Sequence, residues 1–166
     1  MMKLFISLFL LSNFALPWKM PEDLLRGFNF LGDGATICGL SLALRYSRDN
    51  KKIRAGNDCL NAFLTAGTSS LGLKYLTHCK RPNGESYDSF PSGHTTVAFS
   101  TAGVLSHYYP KNKFIFYLLA TGVAVARVQC RAHYTRDVIG GAIVGIWGAK
   151  SALEEKGILP FLRKKF

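Results

Sequence analysis

Apolar residues in this chain come in runs, and nowhere do they alternate with polar ones as a half-buried β-strand requires. One run opens the chain, within "MMKLFISLFLLSNFALPW", and a second, "GDGATICGLSLAL", begins near Asp33. A third covers about 55–79, a fourth starts at Ser92, "FIFYLLATGVAVARV" occupies 114–128, and "RDVIGGAIVGIWGAKSAL" occupies 136–153. Between the first two lies "WKMPEDLLRGFNF", where Pro21 followed by Glu22 and Asp23 makes a good first helical turn, with Trp, Phe and Leu suited to a membrane interface. The pattern predicts an all-α fold, a compact bundle of about six helices. Gly140, Gly141, Gly145 and Gly148 recur about once per turn along the last helix, and the third is rich in small residues that let helices pack closely. At 166 residues, without internal repeat or low-complexity tract, the chain reads as one domain.

Residues 1–17 read as a signal peptide or a first membrane helix, followed by a single helical domain over 18–166. The apolar helices suggest a membrane-embedded bundle. Several runs are nearer 15 residues than the ~20 of a span, and the mean hydropathy is only +0.12, so a secreted bundle behind a signal peptide fits the same pattern. Four cysteines at 38, 59, 79 and 130 include no Cys-x-x-Cys, which argues against structural zinc. Free buried thiols are one expectation; a disulfide between Cys79 and Cys130 is the other.

The net charge is +11, with bases concentrated in "RYSRDNKKIR" (45–54), in "PKNK" (110–113) and in the closing "FLRKKF". Neither the first cluster nor the tail is interleaved with the aromatics that stack single-stranded nucleic acid, so no nucleic-acid partner is expected. If all six helices cross a membrane from a cytoplasmic N-terminus, these three segments share the cytoplasmic side, as the excess of Lys and Arg there requires.

The opposite side receives three motifs. "KYLTHCKRP" holds Lys74, then six residues, then Arg81-Pro82. "PSGH" holds Pro91 to His94, and "RVQCRAHYTRD" holds Arg127, His133 and Asp137. Phosphoryl transfer needs positioned cations around the transferred group, and Lys74, Arg81 and Arg127 supply them. Ser92 and Gly93 open a helix whose first amides can face an anion. His133 stands four residues before Asp137, a spacing at which the carboxylate can orient the imidazole and free its other nitrogen to attack phosphorus, while His94 protonates the leaving oxygen. Alone, each motif is more often a basic helix end, a helix start or a helix-surface pair; His78 and His107 have no such company and read as structural. Arg131 and Arg136 are either solvated loop charge or substrate contacts.

Together, ten letters stand in order at fixed internal spacings. They resemble the type 2 phosphatidic acid phosphatase superfamily, which also contains vanadium haloperoxidases and bacterial acid phosphatases: Lys-x6-Arg-Pro, Pro-Ser-Gly-His, and Ser-Arg-x5-His-x3-Asp. The resemblance covers about 74–137. It implies His133 as a nucleophile forming a phosphohistidine, Asp137 as its orienting group, and His94 as general acid. Lys74, Arg81, Ser92, Gly93 and Arg127 bind phosphate, and no metal or cofactor is needed. One letter departs: Ala126 stands where the family has Ser, so Arg127 is expected to be held more loosely. The implied activity is hydrolysis of a lipid phosphate ester or diphosphate in a bacterial inner membrane, with the site facing the periplasm. The alternatives are a periplasmic or secreted acid phosphatase, a vanadium haloperoxidase, and a non-enzymatic basic membrane protein.

Overall fold

A computed structural model describes residues 19–154 and 156–158. The opening apolar run, read as signal peptide or first membrane helix, and the basic tail Arg163–Lys165 lie outside the described residues. Within them the chain forms α1 (Glu22–Leu31), α2 (Gly34–Arg45), α3 (Asn50–Thr77), α4 (Gly93–Tyr108), a 3-10 turn (Pro110–Asn112), α5 (Lys113–Gln129) and α6 (Thr135–Leu153). The described residues contain no strand, in agreement with the all-α expectation.

The helix boundaries follow local chemistry. Asp33 caps α2 by accepting from the Ala35 and Thr36 amides at 2.9 and 3.3 Å, and Asp49 caps α3 by accepting from Lys51 N at 2.8 Å. That second cap starts α3 five residues before the expected 55, because the capping carboxylate, not the onset of apolarity, fixes the first turn. His78 ends α3 in the left-handed conformation (φ 46°), one turn after Lys74 and just before Pro82 forbids continuation.

α4 is the central helix, packed against α2, α3, α5 and α6, with ten of its residues buried. The core around it is built mostly from small side chains: Ala98, Ala102, Ala120, Ala124, Val123 and Val138 around Phe99 on one flank, Cys59, Ala62, Val104, Ala149 and Ala152 on the other. A β-carbon on Gly145 would lie 2.4 Å from the Thr96 carbonyl oxygen, and one on Gly141 2.7 Å from that of Ser92, so α6 meets the backbone of α4 directly.

Among the described residues no helix is long and apolar enough to cross a membrane, and the first of the six expected helices lies outside them. α4 and α5 are 16 and 17 residues long, and α3 carries a buried polar row that includes Asn57, Asp58, Asn61 and Thr65. The outside of the bundle is nonetheless apolar. Ile139, Ile143, Ile146 and Trp147 of α6, Leu71, Tyr75 and Leu76 of α3, and Phe114, Ile115 and Leu118 of α5 are all exposed.

Gly145→Ala is expected to lower stability by about 1–3 kcal/mol, the usual cost of overpacking. Gly39→Ala in α2, where a β-carbon meets nothing within 4 Å, should be neutral or gain up to ~1 kcal/mol from helix propensity. Thermal unfolding of the two variants checks this; equal melting of Gly145→Ala and wild type would mean the helices are not in backbone contact there.

Candidate active site

The three motifs meet at one end of the bundle. Lys74 comes from the last turn of α3, Arg81 from the loop 78–92, and Ser92, Gly93 and His94 from the start of α4. Arg127 ends α5, and His133 and Asp137 flank the start of α6. One backbone hydrogen bond, from Ser92 N to Asp137 O at 2.9 Å, ties the openings of α4 and α6 together. The Lys74 side chain runs past Gly93, which has no side chain in its way: a β-carbon there would lie 3.9 Å from Lys74 Cε.

The cations are held by partners that leave donors over. Arg81 Nη2 donates to Asp88 Oδ2 at 2.9 Å; Lys74 Nζ donates to the Asp88 carbonyl and lies 3.9 Å from Oδ2. Arg127 Nη1 donates to Asn29 Oδ1 of α1 at 3.0 Å. The Nε groups of Arg81 and Arg127 are buried without a hydrogen-bond partner. A buried donor left unpaired costs roughly 1–3 kcal/mol, more when charged, so two in one small volume mark a place fitted to an oxyanion. Ser92, fully buried, accepts from Thr95 Oγ1 at 3.1 Å and does not cap α4 with its side chain, which leaves the first amides of that helix without a side-chain acceptor.

His133 is 2% exposed. Its Nδ1 lies 2.8 Å from Ser89 O, and because a carbonyl only accepts, Nδ1 carries the hydrogen and Nε2 the lone pair. Asp137 Oδ2 is 3.8 Å from Nδ1, close enough for charge interaction but beyond hydrogen-bond length. The Oδ2 atom instead accepts from Ser89 Oγ at 2.5 Å and from Tyr134 N at 2.8 Å. The carboxylate therefore orients the ring through Ser89 rather than by the direct bond that the four-residue spacing suggests. The reason is that His133 precedes α6, whose first residue is Thr135, so the two side chains do not stack on one helical turn.

Both imidazoles are held neutral. Burial first, and then the charges of Lys74, Arg127 and Arg81, push the His133 pKa down to about 3. Burial and Arg127 push His94 down to about 4. Burial also lowers the Lys74 pKa, against the attraction of Asp88. For Asp88, burial acts upward but is outweighed by the hydrogen bonds from Ser86 and Arg81 and by the Lys74 charge, which hold the carboxyl at about 2.

Every site residue named from sequence lies at this end of the bundle. Ser89, Asp88 and Asn29 were not singled out. Ser89 and Asp88 sit inside the loop between two motifs, where only their nearness in sequence marked them; Asn29 had no signal, since its contact with Arg127 spans 98 residues. Ala126 is fully buried in α5. The looseness expected of Arg127 is countered by Asn29, which anchors the guanidinium from another helix. His78 stacks on Tyr87, and His107 meets Tyr108 edge-on. All four cysteines are free thiols, which overturns the Cys79–Cys130 pairing; only Cys59 is buried, and burial raises its pKa to about 12.

The chain is similar to a lipid A 1-phosphatase of Porphyromonas gingivalis, 34% identical over 94 residues that make up 54% of this chain and 21% of the relative. It is also similar to the bacitracin transport permease protein BcrC of Bacillus licheniformis, 34% identical over 37% of this chain and 30% of that one. It thus spans less than a third of the length of these relatives. The crystal structure of LpxE from Aquifex aeolicus superposes with a TM-score of 0.69 at 28% identity, covering 90% of this chain and 94% of the other. Residues 56–153, which run from α3 to the end of α6 and include all ten motif letters, match the PAP2 superfamily, and the chain belongs to that superfamily.

Proposed function

We propose that this chain hydrolyses the phosphate ester or diphosphate of a membrane lipid through a phosphohistidine, with cationic side chains doing the charge neutralisation. The observation that carries it is the pair of buried, unpartnered guanidinium Nε donors facing two neutral histidines. The Nε2 lone pair of His133 attacks phosphorus, the P–O bond to the lipid alcohol breaks, and His94 gives its proton to the leaving oxygen. An arriving phosphate reverses the sign of the charge beside His94 and raises its pKa, so the acid is armed by its substrate. Positive charge developing on the His133 ring is met by Asp137 at 3.8 Å, and Nδ1–H stays bonded to Ser89 O. Water then cleaves the P–N bond, returning a proton to His94 and releasing inorganic phosphate. The names of the relatives, among them lipid A 1-phosphatases, and the apolar exterior of α3, α5 and α6 support a lipid over a soluble phosphoester.

The test is phosphate release from a panel of phosphorylated lipids and soluble phosphomonoesters, with and without excess chelator. Release from at least one lipid, persisting in chelator, is expected; loss in chelator restored by a divalent metal would defeat the mechanism. His133→Ala should abolish turnover and phosphoenzyme trapping while leaving helical content and melting near wild type. Near-normal release from that variant would remove His133 as nucleophile.

Asp88 competes with phosphate for Lys74 and Arg81. Asp88→Asn keeps the backbone carbonyl contact and removes the charge, so inorganic phosphate should inhibit about three- to tenfold more strongly, an effect on the order of 1 kcal/mol for a half-exposed carboxylate. Weaker phosphate inhibition would mean that Asp88 orients the cations instead.

For location, we infer membrane association with the site facing away from the cytoplasm. α3 is 28 residues, about 42 Å, and separates the basic stretch 45–54 at its start from Lys74 at its end. Bases resist translocation. In a cysteine-free background, Ser86→Cys should react with an impermeant thiol reagent in intact cells and Asn50→Cys should not. The reverse pattern would place the site on the cytoplasmic side.

A further inference from the structure

The two histidines open onto different cavities. His133 lines an open cleft of about 580 Å³ with Pro82, Arg131, Tyr134 and Arg136. His94 lines a separate cavity of about 190 Å³ with Gly32, Gly67, Leu71, Lys74 and Val97. In-line displacement places the attacking and leaving atoms on opposite faces of phosphorus. Resting on the lipid-phosphatase reading, that rule assigns the organic part of the substrate to the His94 side, because the group that protonates the leaving oxygen must touch it.

We propose that the cavity between α2, α3 and the first turn of α4 is the subsite for the leaving lipid alcohol, and that Gly67 sets its size. Its chemistry fits an aliphatic alcohol: no carboxylate lines it, Lys74 and His94 stand at the phosphate end, and Leu71 and Val97 supply apolar wall. At ~30 Å³ per water it holds about six waters' volume, so it takes the first several atoms beyond the scissile oxygen and no more. The remainder of the lipid continues over Leu71, which is 65% exposed, and its helical neighbour Tyr75 four residues on, both part of the apolar exterior of α3. Gly67 lies one turn before Leu71, lines the cavity, and has nothing within 4 Å of a β-carbon position. A side chain there enters the cavity without pushing on the fold, unlike one at Gly145. In the reaction the P–O bond breaks at the mouth of this cavity, the alcohol leaves through it with the proton from His94, and the hydrolytic water arrives by the same face.

The experiment compares wild type, Gly67→Ala and Gly67→Leu in detergent micelles. It reads kcat/KM for phosphatidic acid, the inhibition constant of vanadate, and far-UV circular dichroism. Vanadate engages only the phosphate cage, so it reports the cage independently of the subsite. The leucine variant should lose at least about tenfold in kcat/KM, the alanine variant less, with the vanadate constant within about twofold of wild type. Should the leucine variant fail to fold, the graded loss in Gly67→Ala carries the test. Unchanged lipid turnover in a folded variant, or a vanadate constant that worsens in step with the loss, overturns the assignment. If wild type releases phosphate from no lipid, the functional reading fails and the subsite with it, whereas normal lipid turnover in Gly67→Leu removes the subsite alone.

Discussion

One buried carboxylate holds the working end of this molecule together. Asp137 has no exposed surface. Its Oδ2 accepts from Ser89 Oγ and Tyr134 N, and its backbone carbonyl accepts from Ser92 N, so the loop before α4, the start of α4 and the start of α6 converge on a single residue. Those contacts fix Ser89, and Ser89 O fixes the ring of His133. A carboxylate bonded to the ring itself would place one residue under control. Acting through Ser89, it sets the imidazole and the loop that carries Arg81 and Asp88 together, so His133 and the neighbouring cation share a common reference.

That arrangement depends on helices approaching more closely than ordinary side chains permit. α6 lies against the backbone of α4 because Gly141 and Gly145 present no side chain there, and against Ala66 of α3 at Gly148. The short distance between the two helices is what lets Ser92 N reach Asp137 O. Packing of alanines and glycines gives little apolar burial per residue, and the bundle adds hydrogen bonds between helices such as the part-buried one from Tyr108 to Asp58 at 2.7 Å. The same economy explains the low mean hydropathy. Polar residues of α3 face inward, and the larger apolar side chains of α3, α5 and α6 face outward.

The sequence made the helices legible because their apolar runs have lengths and caps that local chemistry enforces; α5 and α6 fall within a residue of where the runs place them. The candidate site was legible in its ten letters because they stand at fixed offsets from helix ends, which the fold brings to one end of the bundle. The parts that escaped are contacts formed across the fold. Asn29 reaches Arg127 only because α1 crosses α5, where Phe28 packs on Gly122. Nothing in "GFNF" distinguishes that asparagine from a solvated one. The role of Ser89 was hidden for a different reason: it works through its backbone carbonyl, which every residue has.

The exchange at position 126 illustrates how far a motif letter can be separated from its task. The guanidinium of Arg127 must be held with its Nε turned inward, where burial leaves that donor unpaired. A neighbouring hydroxyl is one way to hold it. Here position 126 carries a methyl group packed inside α5, and the holding oxygen comes from Asn29 on α1. The consequence is that α1, which buries none of its own residues, contributes to the candidate site. Its position is in turn fixed by Gly32, where a β-carbon would meet Val123 at 2.5 Å and His94 at 3.3 Å. A helix that the sequence marked only for a membrane interface therefore also borders the site, with Asn29 on Arg127 and its capping residue Gly32 lining a cavity with His94.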